Sequence, residues 1–565
     1  MLLAQLVAPP LQPGPVRLPA PSGEQRLTPR TPDSQLKPEP GGITGPDEAP
    51  PLGPGPPSDT PVPPAQSQNW RPSVRGTSPY NAAELQVILQ PCGRTTSQDT
   101  LQACAAALTA KLVKDGYVNS RVFTLPSPAP GVLEVVQGRI VELRVLSADK
   151  SLANEIRQRL TSLIGSVLHL PSLENSLVTI RSLPGVGQIS GNLGRLGSDP
   201  TQAVLNLNVD SVPVPWRGEL ALRNDGNAGT GQWRNTATVI KNNLVRRQDT
   251  FLTYMEFNAD SEPELGGVMG SLSYTWPLND RWQLTGSLGY SRRNLIEAPG
   301  LAHELSFRQF QGLAQLETTL YRSPRQQWSA FLGMSANRND SYLAGASVPM
   351  IIGGGPAGWL TSGYLRAGVN GAARVGNMVL GGNIYALQGI AGFSSSEQLT
   401  ELAGFGIRPG EARALGGLIN ASLGVNPNLA LNLRGAGQLA LNKLTNDMGF
   451  SIGSDVGLRG LPGSLISGDN GVLGSAELVW TVWQKSNQAL QLVPFIGVGW
   501  VQTNLNSIRF SDTAGSGGLL ARWLAGRHWA VELGWVDQFS TGNNAGFWNE
   551  WLLGNGVYSK VQFRF

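Results

Sequence analysis

From Pro213 onward the chain runs in segments of roughly ten residues in which apolar and polar positions alternate, separated by clusters of Gly, Asn, Asp and Ser. In TFLTYMEFN, Phe251, Thr253, Met255 and Phe257 share one face, and Tyr254, Glu256 and Asn258 the other. RWQLTGSLGY sets Trp282, Leu284, Leu288 and Tyr290 opposite Arg281, Gln283, Thr285 and Ser287. NLALNLRG opposes Leu429, Leu431 and Leu433 to Asn428, Asn432 and Arg434, and HWAVELGW opposes Trp529, Val531, Leu533 and Trp535 to His528 and Glu532. A period of two is that of a β-strand, and polar faces carrying Arg, Glu or Asn among many glycines suit a wet lumen better than the core of a sandwich. About sixteen such segments lie between Trp216 and Phe565, an even number typical of bacterial transmembrane barrels. The last, VYSKVQFRF, has Val557, Val561, Phe563 and Phe565 on one face, so Phe565 is expected to end the closing strand.

Before Pro213 the periodicity is mixed. A short strand ending near Gly76, a helix NAAELQVILQ and a second helix from Ser97 to Lys114 come first. The second helix gathers Leu101, Cys104, Ala105, Leu108 and Leu112 on one face, with Ser97 as cap and Gly116 as stop. Strands RVFTL and VLEVVQ follow. The order then repeats: strand RIVELRV, helices LANEIRQRLTSL and PSLENSLVTIRSL, strands QISGNLGRL and AVLNLNVD. Two β-α-α-β-β modules therefore stand in tandem, at 70–138 and 139–212, and edge strands of such modules can pair with an extended peptide. The alternative is that they serve only as spacers. Residues 1–69 hold nineteen of the forty prolines and no apolar periodicity, which predicts a disordered linker. The opening MLLAQLVAPP lacks a basic flank and a cleavage site, so the true signal peptide is expected to begin upstream.

Composition sharpens this picture. No apolar run approaches the ~18 residues that a membrane-spanning helix needs, whereas strands satisfy the same solvent with short alternating segments. Charged residues make up 15% of the chain, beside 70 Gly and 15 Trp, which suits turns and interfacial aromatics. A net charge of +4 without a Lys/Arg run points to no nucleic acid partner. Cys92 and Cys104 lie in the first module; their spacing permits a disulfide in an oxidising compartment, the alternative being two free buried thiols. His169, His303 and His528 are scattered and predict no metal site. GVGQISG and GFGIRPG lack the context of a phosphate loop and read as turns, and no nucleophile motif is present. Neither a cofactor nor enzymatic activity is expected.

Two β-α-α-β-β modules followed by a barrel of about sixteen strands resemble the two-partner secretion transporters called TpsB, of the POTRA-plus-barrel superfamily that includes barrel-assembly proteins. Local stretches carry the resemblance across residues 75–565. LTAKLVKDGYVNSRV is similar to the end of a first POTRA helix with its Gly116-Tyr117 turn; RNDGNAGTGQW and NNLVRRQDTF resemble the first barrel hairpin, and SYTWPLNDRWQLTGSLGYS the next turn. DVGLRGLPGSLISGDNGVLGSAEL resembles the superfamily's inward-folded loop, here about 443–471, with the tip Leu458, Arg459, Gly460 and Leu461 followed by Gly468, Asp469 and Gly471. It falls between the eleventh and twelfth predicted strands, as the family's order requires.

The resemblance implies that this loop lies inside the barrel and that Arg459 pairs with an inward acid. Two departures matter. Leu461 replaces the usual aromatic, and the wall motif Phe-x-Asp-x-Gly reads Phe495, Gly497 and Gly499 in PFIGVG, with Gly497 where the acid would stand. The expected partner is therefore Glu477, on the polar face of the next strand. The family's plug helix is not expected in the Pro-rich stretch as it stands.

As a member of this family the chain would be an outer-membrane translocator whose POTRA domains, in the periplasm, bind a secreted TpsA-like exoprotein. Its further partners would be outer-membrane lipid and the barrel-assembly machinery, and it would act as a monomer. The rival readings are an outer-membrane assembly or insertion factor and a passive porin-like channel.

Overall fold

In a computed structural model the described residues are 72–565 apart from 93–96, 128–130, 182, 227, 261–264, 297–304, 324, 464–465, 506–507, 544–551 and 553–555. The Pro-rich segment, the signal-peptide question and the plug helix thus lie outside the described residues, as does His303. The described residues divide into two compact units, with the boundary in sequence between Pro213 and Val214.

The first unit holds both modules. β1 (Ser73–Gly76), α1 (Ala82–Ile88), α2 (Gln98–Lys114), β2 (Arg121–Leu125) and β3 (Val132–Val136) form a sheet of order β1-β3-β2, backed by the two helices. The five apolar residues predicted on one face of α2 are its five buried residues, and Ser97 caps it by accepting from the Thr100 N–H. Gly116 adopts φ +96°, a left-handed conformation open to glycine, and so turns the chain out of the helix. β4 (Arg139–Leu146), α3 (Lys150–Arg159), α4 (Leu170–Arg181), β5 (Val186–Leu196) and β6 (Asp199–Ser211) repeat the plan, with order β4-β6-β5 and a separate apolar core.

The permitted disulfide is absent: Cys92 and Cys104 are free thiols. Cys104 packs into the helix core, and its Sγ lies 3.9 Å from the Cys92 carbonyl oxygen. Burial pushes its pKa up to about 12, which disfavours the thiolate needed for oxidation.

The second unit is a closed antiparallel barrel. Its strands are β7 (Arg217–Arg223), β8 (Trp233–Asn242), β9 (Thr250–Ala259), β10 (Leu265–Pro277), β11 (Trp282–Leu295), β12 (Leu305–Arg322), β13 (Gln326–Leu343), the two-residue β14 (Ala346–Ser347), β15 (Trp359–Val375), β16 (Met378–Gly389), β17 (Arg413–Asn426) and β18 (Leu429–Ala440). After β19 (Phe450–Ile452) and β20 (Ile466–Gly468), which stand apart as a hairpin, the wall resumes with β21 (Asn470–Lys485), β22 (Gln488–Leu505), β23 (Ile508–Ala525), β24 (Trp529–Gly542) and β25 (Val557–Arg564). Leaving aside β14, sixteen strands close the wall, and β25 pairs with β7. Past this ladder Phe565 exchanges two backbone hydrogen bonds with Gly218.

Burial in the barrel is the inverse of a soluble protein's. Leu284, Leu288 and Tyr290 face outward and are exposed, while Thr285 and Ser287 are buried within; Met255 and Phe257 are exposed around a buried Glu256. Such a surface is stable only where the outer solvent is apolar. Exposed tryptophans gather at the rim where β7 begins and β25 ends: Trp216, Trp276, Trp282, Trp328, Trp523 and Trp529. Indole rings with an apolar body and a polar N–H favour that depth. At the turn between β8 and β9, Asp249 accepts from the N–H groups of Leu244, Val245 and Arg246, which accounts for the NNLVRRQDTF stretch.

Among the described residues of the barrel unit, one α-helix has no counterpart in the strand pattern. α5 (Ser396–Gly404), capped by Ser395, joins β16 to β17 and packs Leu402 against Ile351, Leu360 and Ile407. Its nine residues interrupt a run of predicted strands, and only the packed loops around it favour the helix.

If Leu288 faces lipid near mid-strand, Leu288→Lys is expected to destabilise the folded barrel by about 2 to 4 kcal/mol, read as a lower urea midpoint in liposomes. Ser287→Lys, one residue away and facing the lumen, is expected to cost much less in the same titration.

Candidate functional site

Between β18 and β21 the chain turns into the barrel. The β19–β20 hairpin and the connection between its strands bury Phe450, Ile452, Leu458, Leu461 and Ile466 against Leu473, Val501 and Ala514 of the wall. Leu461, which replaces an aromatic, is fully buried in this cluster. Gly457 and Gly460 bracket the Leu458-Arg459 pair at φ +110° and +87°, conformations that side chains rarely adopt. A Cβ on Gly457 would also meet Arg434 at 2.4 Å, and one on Gly460 would meet Val536 at 2.5 Å. The tip can therefore reach the wall only through glycines.

Arg459 is 1% exposed. Its guanidinium donates from Nε to Glu477 Oε1 at 2.7 Å and from Nη2 to Oε2 at 3.0 Å, a bidentate pair. Nη1 donates to Glu532 Oε2 at 2.6 Å, and Arg522 donates to the other oxygen of Glu532 at 2.9 Å. Ser516 Oγ donates to the Arg459 carbonyl at 2.6 Å, and the Gln538 amide donates to that of Gly460. The structure thus places Glu477 on Arg459, and adds Glu532, which lies on a polar face in the sequence without any mark of this role.

The wall-motif residues also meet the loop. Phe495 lies beneath the guanidinium, its centroid 5.9 Å from Cζ. Cβ atoms at Gly497 and Gly499 would come within 2.9 and 3.0 Å of the Leu458 methyls, so the missing acid leaves room for an apolar seat. Gly468 backs onto the Gln502 backbone, and Gly471, already part of β21, lies under the Phe450 ring. Asp469, near the loop's end, accepts from the Leu444 N–H at its start at 3.3 Å and from the Asn504 N–H of β22 at 2.9 Å.

A second ionic cluster escaped the sequence reading. Arg234 on β8 is 1% exposed; it donates to both oxygens of Glu256 at 3.0 and 2.8 Å and to Asp455 of the loop at 2.9 Å, with Asp225 at 3.7 Å. Arg223 on β7 pairs with Asp225 and donates to Ser454 Oγ at 3.1 Å. Strand alternation puts Glu256 inside, but the pairing joins positions some 220 residues apart and has no local signal.

The sequence pattern of the haemolysin secretion/activation proteins ShlB/FhaC/HecB matches residues 202–519, more than half of the chain. The chain belongs to that family. Among solved structures, CdiB from Escherichia coli superposes with a TM-score of 0.67 at 17% identity, over 90% of this chain and 93% of that one. CdiB from Acinetobacter baumannii gives 0.61 at 16%, over 88% and 91%. Likeness at this identity shows a shared fold. No curated protein sequence matches. The chain is thus a two-partner secretion transporter of the TpsB type, an outer-membrane barrel for protein transport. Within this transporter the loop fills part of the lumen.

Replacing both acids, Glu477→Gln with Glu532→Gln, leaves the Arg459 guanidinium buried without a carboxylate from either strand, at an expected cost of about 3 to 5 kcal/mol. Urea unfolding followed by the heat-sensitive gel mobility of the barrel reads this loss. Either single variant keeps one acid and is expected to lose less.

Proposed function

We propose that this transporter captures an unfolded TpsA-like exoprotein in the periplasm through its two N-terminal modules and passes it outward through the barrel. The observation that carries the reading is the edge strand β2: it bonds only to β3 among the described residues, and it leaves Phe123 and Leu125 exposed. An unpaired strand edge bearing apolar side chains is suited to adding an extended peptide, with the backbone supplying affinity and the side chains selectivity. β5 offers a second edge of this kind in the other module.

Release of the inward loop then clears the lumen, and folding of the exoprotein outside supplies the drive. Lipid surrounds the barrel, the assembly machinery inserts it by way of the terminal strand ending in Phe565, and the protein works as a monomer.

The test is photo-cross-linking of the full-length protein in cells from a probe at Phe123, with capture analysed by mass spectrometry. One large secreted β-rich polypeptide is the expected product. Many outer-membrane proteins would replace this reading with an assembly factor, and no adduct would favour a passive channel. Arg459→Ala is expected to keep a folded barrel, judged by heat-sensitive mobility, while secretion of that polypeptide falls at least about tenfold. Normal secretion would remove Arg459 from the transport step.

A further inference from the structure

Away from the ion pairs of the loop, β15 sets an arginine into the lumen. Leu365 and Val369 are exposed on the lipid face, so strand alternation turns Arg366 inward, where it is 5% exposed. Its guanidinium lies over the Phe331 ring of β13, with Cζ 4.9 Å from the centroid. Among the described residues its Nε has no hydrogen-bond partner. The side chains that feel its charge are the phenols of Tyr364 and Tyr385, and no carboxylate is among them.

The neighbouring strands leave this charge unmatched. Gln315 of β12, Gly333 of β13 and Arg366 stand side by side in register. A Cβ on Gly333 would meet Gln315 Cβ at 3.2 Å and Arg366 Cγ at 3.3 Å, so the two long side chains approach each other over the glycine. A glutamate at 315 would complete a buried ion pair there, whereas the amide supplies no charge. Glu317 of β12 accepts from Ser329 at 2.6 Å and is separated from Arg366 by the strand that carries Phe331. Further along the same wall Asn370 and Asn383 stand opposite each other, each with a buried side-chain oxygen that accepts no hydrogen bond among the described residues.

A buried guanidinium is costly to keep without a counter-charge, and here the wall supplies none. We propose that Arg366 is a lumenal binding site for the carboxylate side chains of an extended acidic peptide. Its parallel N–H donors match a carboxylate, and the spare oxygens of Asn370 and Asn383 match the N–H groups of a peptide backbone. Neutral Gln315 keeps the positive charge available, and with no internal acid to displace, a carboxylate can bind and leave. Its use in transport, as a foothold for acidic segments in the lumen, rests on the function proposed above, whereas the site itself does not.

Block of the open-channel current of the full-length protein by synthetic hexaglutamate in planar bilayers tests the site, because no secreted partner is needed. Hexaglutamate is expected to block the parent protein, and hexaglutamine, or free glutamate at the same carboxylate concentration, to block it far less. Arg366→Gln removes a charge-assisted pair and is expected to weaken the hexaglutamate block about tenfold, while Arg366→Lys keeps part of it. Gln315→Glu, which supplies an internal carboxylate to the guanidinium, is expected to weaken the block as far as Arg366→Gln does. Heat-sensitive mobility shows that each variant is folded. An unchanged block in folded Arg366→Gln, or equal block of the parent by hexaglutamine or by free glutamate, would overturn the proposal. Should Arg366→Gln not fold, Gln315→Glu decides: a weakened block supports the site and an unchanged one refutes it. A block that depends on Arg366 together with no captured exoprotein would sink the transport reading and leave the site standing; capture with an unchanged block would do the reverse.

Discussion

A guanidinium sealed from water has to be matched by carboxylates, and Arg459 meets that need on two strands of the barrel wall. The loop's inward path follows from this. With Glu477 and Glu532 both inside the lumen, Arg459 reaches them only if the segment carrying it leaves the rim and descends, and the glycines on either side permit the close approach. Leu458 and Leu461 then pack into the apolar cluster between loop and wall. The negative charge that meets the arginine stands on β21 and β24, and the Gly497 and Gly499 positions of β22 form an apolar seat for Leu458.

The barrel's own stability comes from a different constraint. Its strands pair all the way round, so backbone groups are satisfied in a solvent that offers no hydrogen bonds. That leaves side chains free to sort by environment, with apolar residues outside and polar ones within. The interior is uneven in charge. The walls of β11 to β13 present mostly neutral buried groups such as Ser287, Gln309, Gln311, Ser335 and Asn337, with Glu317 buried on β12, whereas the arginines and acids paired at the loop's tip lie on β7 to β9 and β21 to β24.

The N-terminal modules are built by ordinary means, each around an apolar core with capped helices. What distinguishes them is what they leave unpaired. Among the described residues β2 and β5 are open edges in sheets of three strands, and natural proteins usually protect such edges unless they are used.

Local regularities were legible in the sequence. Alternation with a period of two gave the strands, their two faces and the even count, because successive side chains in a strand must point to opposite sides. The cap at Ser97 and the buried face of α2 were equally plain, since helix periodicity and capping act over a few residues. Even Glu477 was reachable, from its place on a polar face close after the loop. The Arg234 cluster, Glu532 as a second acid on Arg459, the helix α5 and the free state of Cys92 and Cys104 were not. Each depends on which residues meet across the lumen or within a packed core, and that follows from the register and closure of the whole ladder. Alternation tells a residue which way to face; only the closed barrel decides what it faces.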